Sequence, residues 1–162
     1  MRFAVLYKRR GKLIIGAQGR TTAGVLIGFE PPLSIDDTVD ASSLGRALRD
    51  VLKRSRSPVP HPRPEEWPAI TNAFLRIAGV KSWSTFVRGS LLTTVEWDGS
   101  AIVFQPHENR GARDAFQPMG LPAIRLDAGA SDEDVGVAAA RALEIAASAE
   151  PRDGARTPRD AD

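Results

Sequence analysis

One segment of this chain occurs twice, 91 positions apart, and that echo restricts the fold more than any other feature. Pro31, Leu33, Ile35, Leu44, Gly45, Ala47, Leu48, Val51 and Leu52 are answered by Pro122, Ile124, Leu126, Val135, Gly136, Ala138, Ala139, Ala142 and Leu143. In each copy two apolar residues alternate as in a short strand. A loop follows, and then apolar residues recur at the i, i+3, i+4, i+7 and i+8 spacing of one helix face. A glycine inside a helix costs about 1 kcal/mol against alanine. Two such glycines in the same phase therefore read as a close packing contact. The expectation is two strand-loop-helix halves whose helices lie against one sheet, or against two related sheets.

The rest of the chain fills in around these units. Phe3, Val5 and Tyr7 alternate as a strand, Arg10-Gly11 reads as a turn, and Lys12 to Gly16 and Gly24 to Phe29 read as further strands. Leu33 and Ile35 follow Pro31-Pro32 as a short edge strand. Asp40 or Ser42 can cap the first helix, and Lys53 and Arg54 suit its negative end. Four prolines between Ser55 and Pro64 make an extended connector. A second helix is expected over Glu65 to Ala78, with Pro68 in its first turn and Gly79 closing it. Leu91 to Trp97, Asp98-Gly99 and Ala101 to Phe104 read as a hairpin with a tight turn. Ile124 and Leu126 mark a strand, and Ser131 caps a last helix that opens on Asp132, Glu133 and Asp134. Ser148 to Asp162 holds no large apolar residue and is expected to be a disordered tail.

Composition excludes several function classes. Apolar residues make up 42% of 162, enough for one packed core without a metal or disulfide. There is no cysteine, which removes disulfides, zinc–thiolate sites and thiol nucleophiles together. The N-terminal apolar run precedes its charges and is too short for a signal peptide, and no stretch approaches a membrane span. The expected location is the cytoplasm. Charge is uneven: residues 1–60 carry a balance of +6, and residues 61–162 one of −4.

The search for chemistry finds little. His61 and His107 both lie beside prolines, with no pairing suited to zinc. His107-Glu108-Asn109 could supply a base with a carboxylate neighbour, but a turn over a strand end explains it equally well. The glycines between Gly11 and Gly28 are spaced as turns, with no phosphate-binding Gly-Lys-Ser/Thr. The Asp132–Asp134 triplet sits where a helix start wants carboxylates. Lys8-Arg9-Arg10-Gly11-Lys12 could contact phosphates, which makes a small nucleic-acid-binding module the alternative function. Scarce aromatic residues nearby favour a charged hairpin turn instead. No catalytic residue, cofactor site or metal site is assigned.

Lys81-Ser82-Trp83-Ser84-Thr85-Phe86-Val87-Arg88-Gly89 is followed by Ile102-x-Phe104-x-Pro106, Asn109-Arg110-Gly111, Phe116-x-Pro118 and Glu133-x-Val135-Gly136. Taken by themselves, Trp83 and Phe86 read as core anchors, Pro106 as a strand end, and Asn109 with Gly111 as a turn. In this order and spacing the motifs resemble immunity proteins of bacterial contact-dependent growth inhibition (CDI) systems, over residues 10–146 and most densely over 81–143. The resemblance implies a protein without catalytic activity. It would bind and neutralise the C-terminal toxin domain of a sister cell's exported effector. In that family the toxin is often a nuclease, frequently one that cuts transfer RNA. Neutralisation would then cover its active site or RNA-binding surface, with no direct nucleic-acid binding by the immunity protein.

An RNA-cutting toxin would present a basic groove, so acids are the candidate contacts. They are Asp36, Asp37 and Asp40 before the first helix, and Glu96, Asp98 and Glu108 around the hairpin. The expected fold is mixed α+β, with largely antiparallel sheet and about three helices. It is expected to form one domain over 1–147, with halves at 1–57 and 79–147.

Overall fold

Strand pairing in the computed structural model, which describes residues 1–149, carries the repeat far beyond the segment where sequence shows it. The first half runs β1 (Arg2–Arg9), β2 (Lys12–Arg20), β3 (Leu26–Gly28), β4 (Leu33–Asp36) and α1 (Ala41–Arg54). The connector then leads into α2 (Trp67–Ala78) and α3 (Trp83–Val87). The second half runs β5 (Leu91–Trp97), β6 (Ala101–Asn109), α4 (Gly111–Asp114), β7 (Phe116–Pro118), β8 (Ile124–Asp127) and α5 (Asp132–Ser148). All eight strands form one sheet in the order β3-β2-β1-β5-β6-β7, with β4 also on β2 and β8 also on β6, every pair antiparallel.

The registers of the two halves correspond. Leu13 opposite Lys8 is repeated by Ile102 opposite Trp97, both 89 positions later. Gln18 opposite Gly28 is repeated by His107 opposite Pro118. Leu33 to Asp36 on β2 is repeated by Ile124 to Asp127 on β6. Where the halves meet, Val5 pairs with Thr94, its own counterpart 89 positions on. A pseudo-two-fold axis therefore passes through that pair.

One sheet face carries Ala4, Leu6, Leu13, Ile15, Ala17, Val95, Ile102 and Phe104, and packs under α1 and α5. These helices cross at the paired glycines. A Cβ on Gly45 would run into the Asp132 carbonyl, and one on Gly136 into the Ala41 carbonyl. Asp132 and Ala41 are themselves counterparts, so the crossing obeys the same dyad. Asp40 caps α1 by accepting from the Ser43 amide at 2.9 Å, and Ser131 caps α5 through Asp134.

The opposite face is covered on one side of the dyad only. There Val5, Tyr7, Ile14 and Leu92 pack against Phe74, Leu75 and Phe86 from α2 and α3. Phe74 presses so closely on β2 that a Cβ on Gly16 would lie 2.6 Å from its ring. The run from Phe3 to Tyr7 is buried throughout, rather than alternating, because the sheet is sandwiched at this point.

Other expectations are corrected in detail. Three helices exceed two turns, as expected, but α3 and α4 are additional. The second helix begins with a short 3-10 turn at Pro64–Glu66, and Gly79 closes it in the left-handed conformation. Pro106 does not end a strand but sits inside β6. Its carbonyl accepts from Met119 on the outer side, so its nitrogen points outward too, and the ladder to β5 loses no donor. At the hairpin turn only Gly99 has a positive φ, and the Asp98 carboxylate closes the loop. Phe86 is fully buried, whereas Trp83 is half-buried and stacks on it at 5.1 Å. The expected tail falls outside the described residues except Ser148, which ends α5, and Ala149.

Candidate interaction surface

The six candidate acids do not form one patch. Asp36, Asp37 and Asp40 lie beside the β1–β2 turn, and Glu108 lies at the same end of the sheet, next to β7. Glu96 and Asp98 lie at the opposite end, where β5 meets its turn. Most of these carboxylates already have partners within the chain. Asp36 accepts from the Thr38 amide and hydroxyl at 2.9 and 2.6 Å. Asp37 pairs with Lys8 at 3.5 Å, Asp40 caps α1, and Glu108 pairs with Arg110 at 2.9 Å. Asp98 accepts from the Ser100 amide and hydroxyl and the Ala101 amide, and faces Arg125 at 3.7 Å. Glu96 alone of the six has neither a hydrogen bond nor an ion pair among the described residues.

Those bonds hold the Asp98 carboxyl down at about 2, led by the Ser100 hydroxyl and then the Ala101 and Ser100 amides. A carboxyl depressed on folding stabilises the native state above its unfolded value and loses that contribution as pH falls through its folded one. The Asp98 side-chain resonance should therefore titrate near pH 2. The stability of Asp98→Asn should also depend less steeply on pH between 4 and 2 than that of the native chain. A titration midpoint near 4 would contradict this.

The basic N-terminal cluster is reduced by folding. Lys8 is paired with Asp37, and Arg9 is buried with Nη1 donating to the Arg88 carbonyl at 2.6 Å. Of the four cations only Arg10 and Lys12 are both exposed and without an ion pair among the described residues, a small footprint for a nucleic-acid backbone. His107 and Glu108 occupy adjacent strand positions and point to opposite faces. The His107 imidazole is buried and bonded to the Gln105 carbonyl at 2.9 Å. Burial pushes its pKa below the ordinary value, which the hydrogen bond offsets only in part. No group of three or more His, Asp or Glu side chains could hold a metal among the described residues, and no helix there is long and apolar enough to cross a membrane. Asn109 belongs to the scaffold: its buried amide donates to the Val87 and Ser90 carbonyls at 2.7 and 2.8 Å, and its oxygen accepts from Gly111.

Two concavities include a candidate acid. One, of about 500 Å³, lies between the start of α1, the outer side of α5 and the sheet end at Lys8 and Leu91. The other, of about 320 Å³, lies on the uncovered part of the second face and includes Phe3, Gln18, Thr94, Glu96, Val103 and Gln105. The acid pattern in the sequence finds Glu96 but not its surroundings, because Phe3, Gln18 and Gln105 come from strands distant in the chain.

The sequence model of the CDI immunity protein family matches residues 31–146. A search of curated proteins finds no match. Among solved structures, a protein of unknown function from Neisseria meningitidis superposes with a TM-score of 0.74 at 16% identity, covering 89% of this chain and 94% of that one. A chain of a CdiA-CT/CdiI toxin and immunity complex from Yersinia pseudotuberculosis superposes with a TM-score of 0.73 at 14% identity, covering 90% and 96%. At such identities the two structures establish the shared fold.

Proposed function

We propose, from the premise that this chain belongs to the CDI immunity protein family, that it binds and neutralises the toxin domain of its own CDI system. The observation that carries this reading is the family match over 31–146, which takes in both helices of the glycine crossing and the strands β4 to β8. The fold shared with a chain of a toxin and immunity complex supports it.

In this reading residues 1–147 act as one immunity domain, working in the cytoplasm as a binder and not as an enzyme. The toxin is a nuclease, and an RNA-cutting one accounts for the acids offered as contacts, since its substrate-binding surface must be basic. Inhibition then follows from occupying that surface, with no chemistry required of the inhibitor. The acids already engaged within the fold can still add long-range attraction, which speeds encounter more than it deepens affinity.

Co-expression tests the proposal. Cells producing the C-terminal domain of the CdiA protein encoded beside this chain should stop growing. They should recover when this chain is produced with it, and not when an immunity protein from another system is. Purified toxin domain and purified chain should co-elute as a complex. Continued growth arrest, with no complex formed at micromolar concentrations, would refute the reading.

A further inference from the structure

The two halves of the sheet differ most in what lies on their second face. Tyr7, Ile14 and Gly16 have Glu96, Val103 and Gln105 as their counterparts across the dyad. The first set is buried under Phe74 and Phe86, which α2 and α3 bring from the inter-half segment. The second set lines the open 320 Å³ concavity. The chain thus leaves open on one side of the dyad the sheet position that it covers on the other.

We infer that the open position is where the toxin domain docks, with a basic toxin side chain seated against Glu96 and an apolar one over Val103. This rests on the reading that the chain neutralises a toxin, and it adds which surface does so. Charge decides the kind of occupant. Where the covered side has the Tyr7 ring, the open one has a carboxylate with no ion pair among the described residues. A carboxylate there attracts a cationic side chain and repels phosphate. Gln18 and Thr94 beside it also make no side-chain hydrogen bond among the described residues, which leaves donors and acceptors there for a partner. In the covered half Phe74 enters over Gly16; the open half has Gln105 there, its amide donating to the Pro106 and Met119 carbonyls, so the inserted apolar side chain belongs over Val103 instead. The fully buried Phe3, with Arg20 over its ring at 4.9 Å, gives the open half a rigid floor.

The test uses the complete chain and the C-terminal domain of the neighbouring CdiA protein. Glu96→Gln should weaken binding about tenfold and Glu96→Arg more than about a hundredfold, in the range expected for a charge pair at an interface. Asp50→Asn, on the exposed side of α1, should change it less than about twofold. Circular dichroism and thermal unfolding of each variant establish that it folds. The native chain lacks cysteine, so a single Thr94→Cys can be labelled with a maleimide. Bound toxin should slow that labelling more than about tenfold while leaving Val137→Cys, exposed on α5, within about twofold.

If native protein binds the toxin but folded Glu96 variants bind as well as it does and Thr94→Cys stays reactive, this surface is wrong and the immunity function stands. If native protein does not bind the toxin, both fall. Thr94→Cys labelling that slows with rising concentration of the free chain would put a second copy on this face and overturn the assignment to the toxin.

Discussion

Replacing Gly45 by alanine should lower the unfolding free energy by about 3 kcal/mol or more, although alanine is the better helix former by about 1 kcal/mol. The sign is set by what the methyl group meets. At Gly45 it is the Asp132 carbonyl, a backbone atom held in the first turn of α5. A backbone atom cannot rotate aside as a side-chain tip can, so the helices must separate. Separation loosens Leu44, Leu48, Ala139 and Leu143, all buried around the crossing. For a chain of this size a loss of that order lowers Tm by roughly 6–12 °C. Gly136→Ala should behave alike, because its methyl group meets the Ala41 carbonyl. The double variant should lose less than the sum, since helices already parted by one methyl have room for the other. Thermal and urea unfolding of the three variants check this. A Tm equal to or above that of the native chain would mean that the crossing is looser than the geometry requires.

Phe86→Ala should be comparably damaging, by about 3–5 kcal/mol. Phe86 is fully buried and touches three other rings. It meets Tyr7 edge-on at 5.0 Å and Phe74 at 6.4 Å, and Trp83 stacks on it. It is also the side chain through which α3 enters the second core. The effect should be uneven in space. Hydrogen exchange at amides of residues 67–87 should accelerate more than at those of α1 and α5, whose core is a separate cluster on the other sheet face. Uniform acceleration along the chain would show that the two cores unfold as one unit.

Legibility in the sequence followed the environment of each residue. The repeat is readable over 31–52 and 122–143 because α1 and α5 sit in equivalent surroundings. Each packs on the same sheet face and touches the other at a glycine, so the same residue types serve both. In the hairpins the counterparts Tyr7 and Glu96, or Gly16 and Gln105, have nothing in common. One of each pair is covered by α2 and α3 and the other is open. The duplication of β1–β3 as β5–β7 is therefore invisible in sequence although the registers agree. Helices α3 and α4, with five and four residues, are too short to establish a period. Pro106 misled because a proline harms only the ladder toward which its nitrogen points, and sequence does not say which edge that is. The acids were legible as acids. What distinguishes Glu96 from the other five is the lack of a partner among the described residues, and partners such as Lys8, Ser100 and Arg125 are assigned only by folding.

That a single half is shielded by α2 and α3 also bears on valence. A platform with two like faces offers two like seats, and a ligand able to use either could bridge one molecule to the next without limit. Here one seat is filled from within the polypeptide, so an assembly formed through the other stops at a single guest per host.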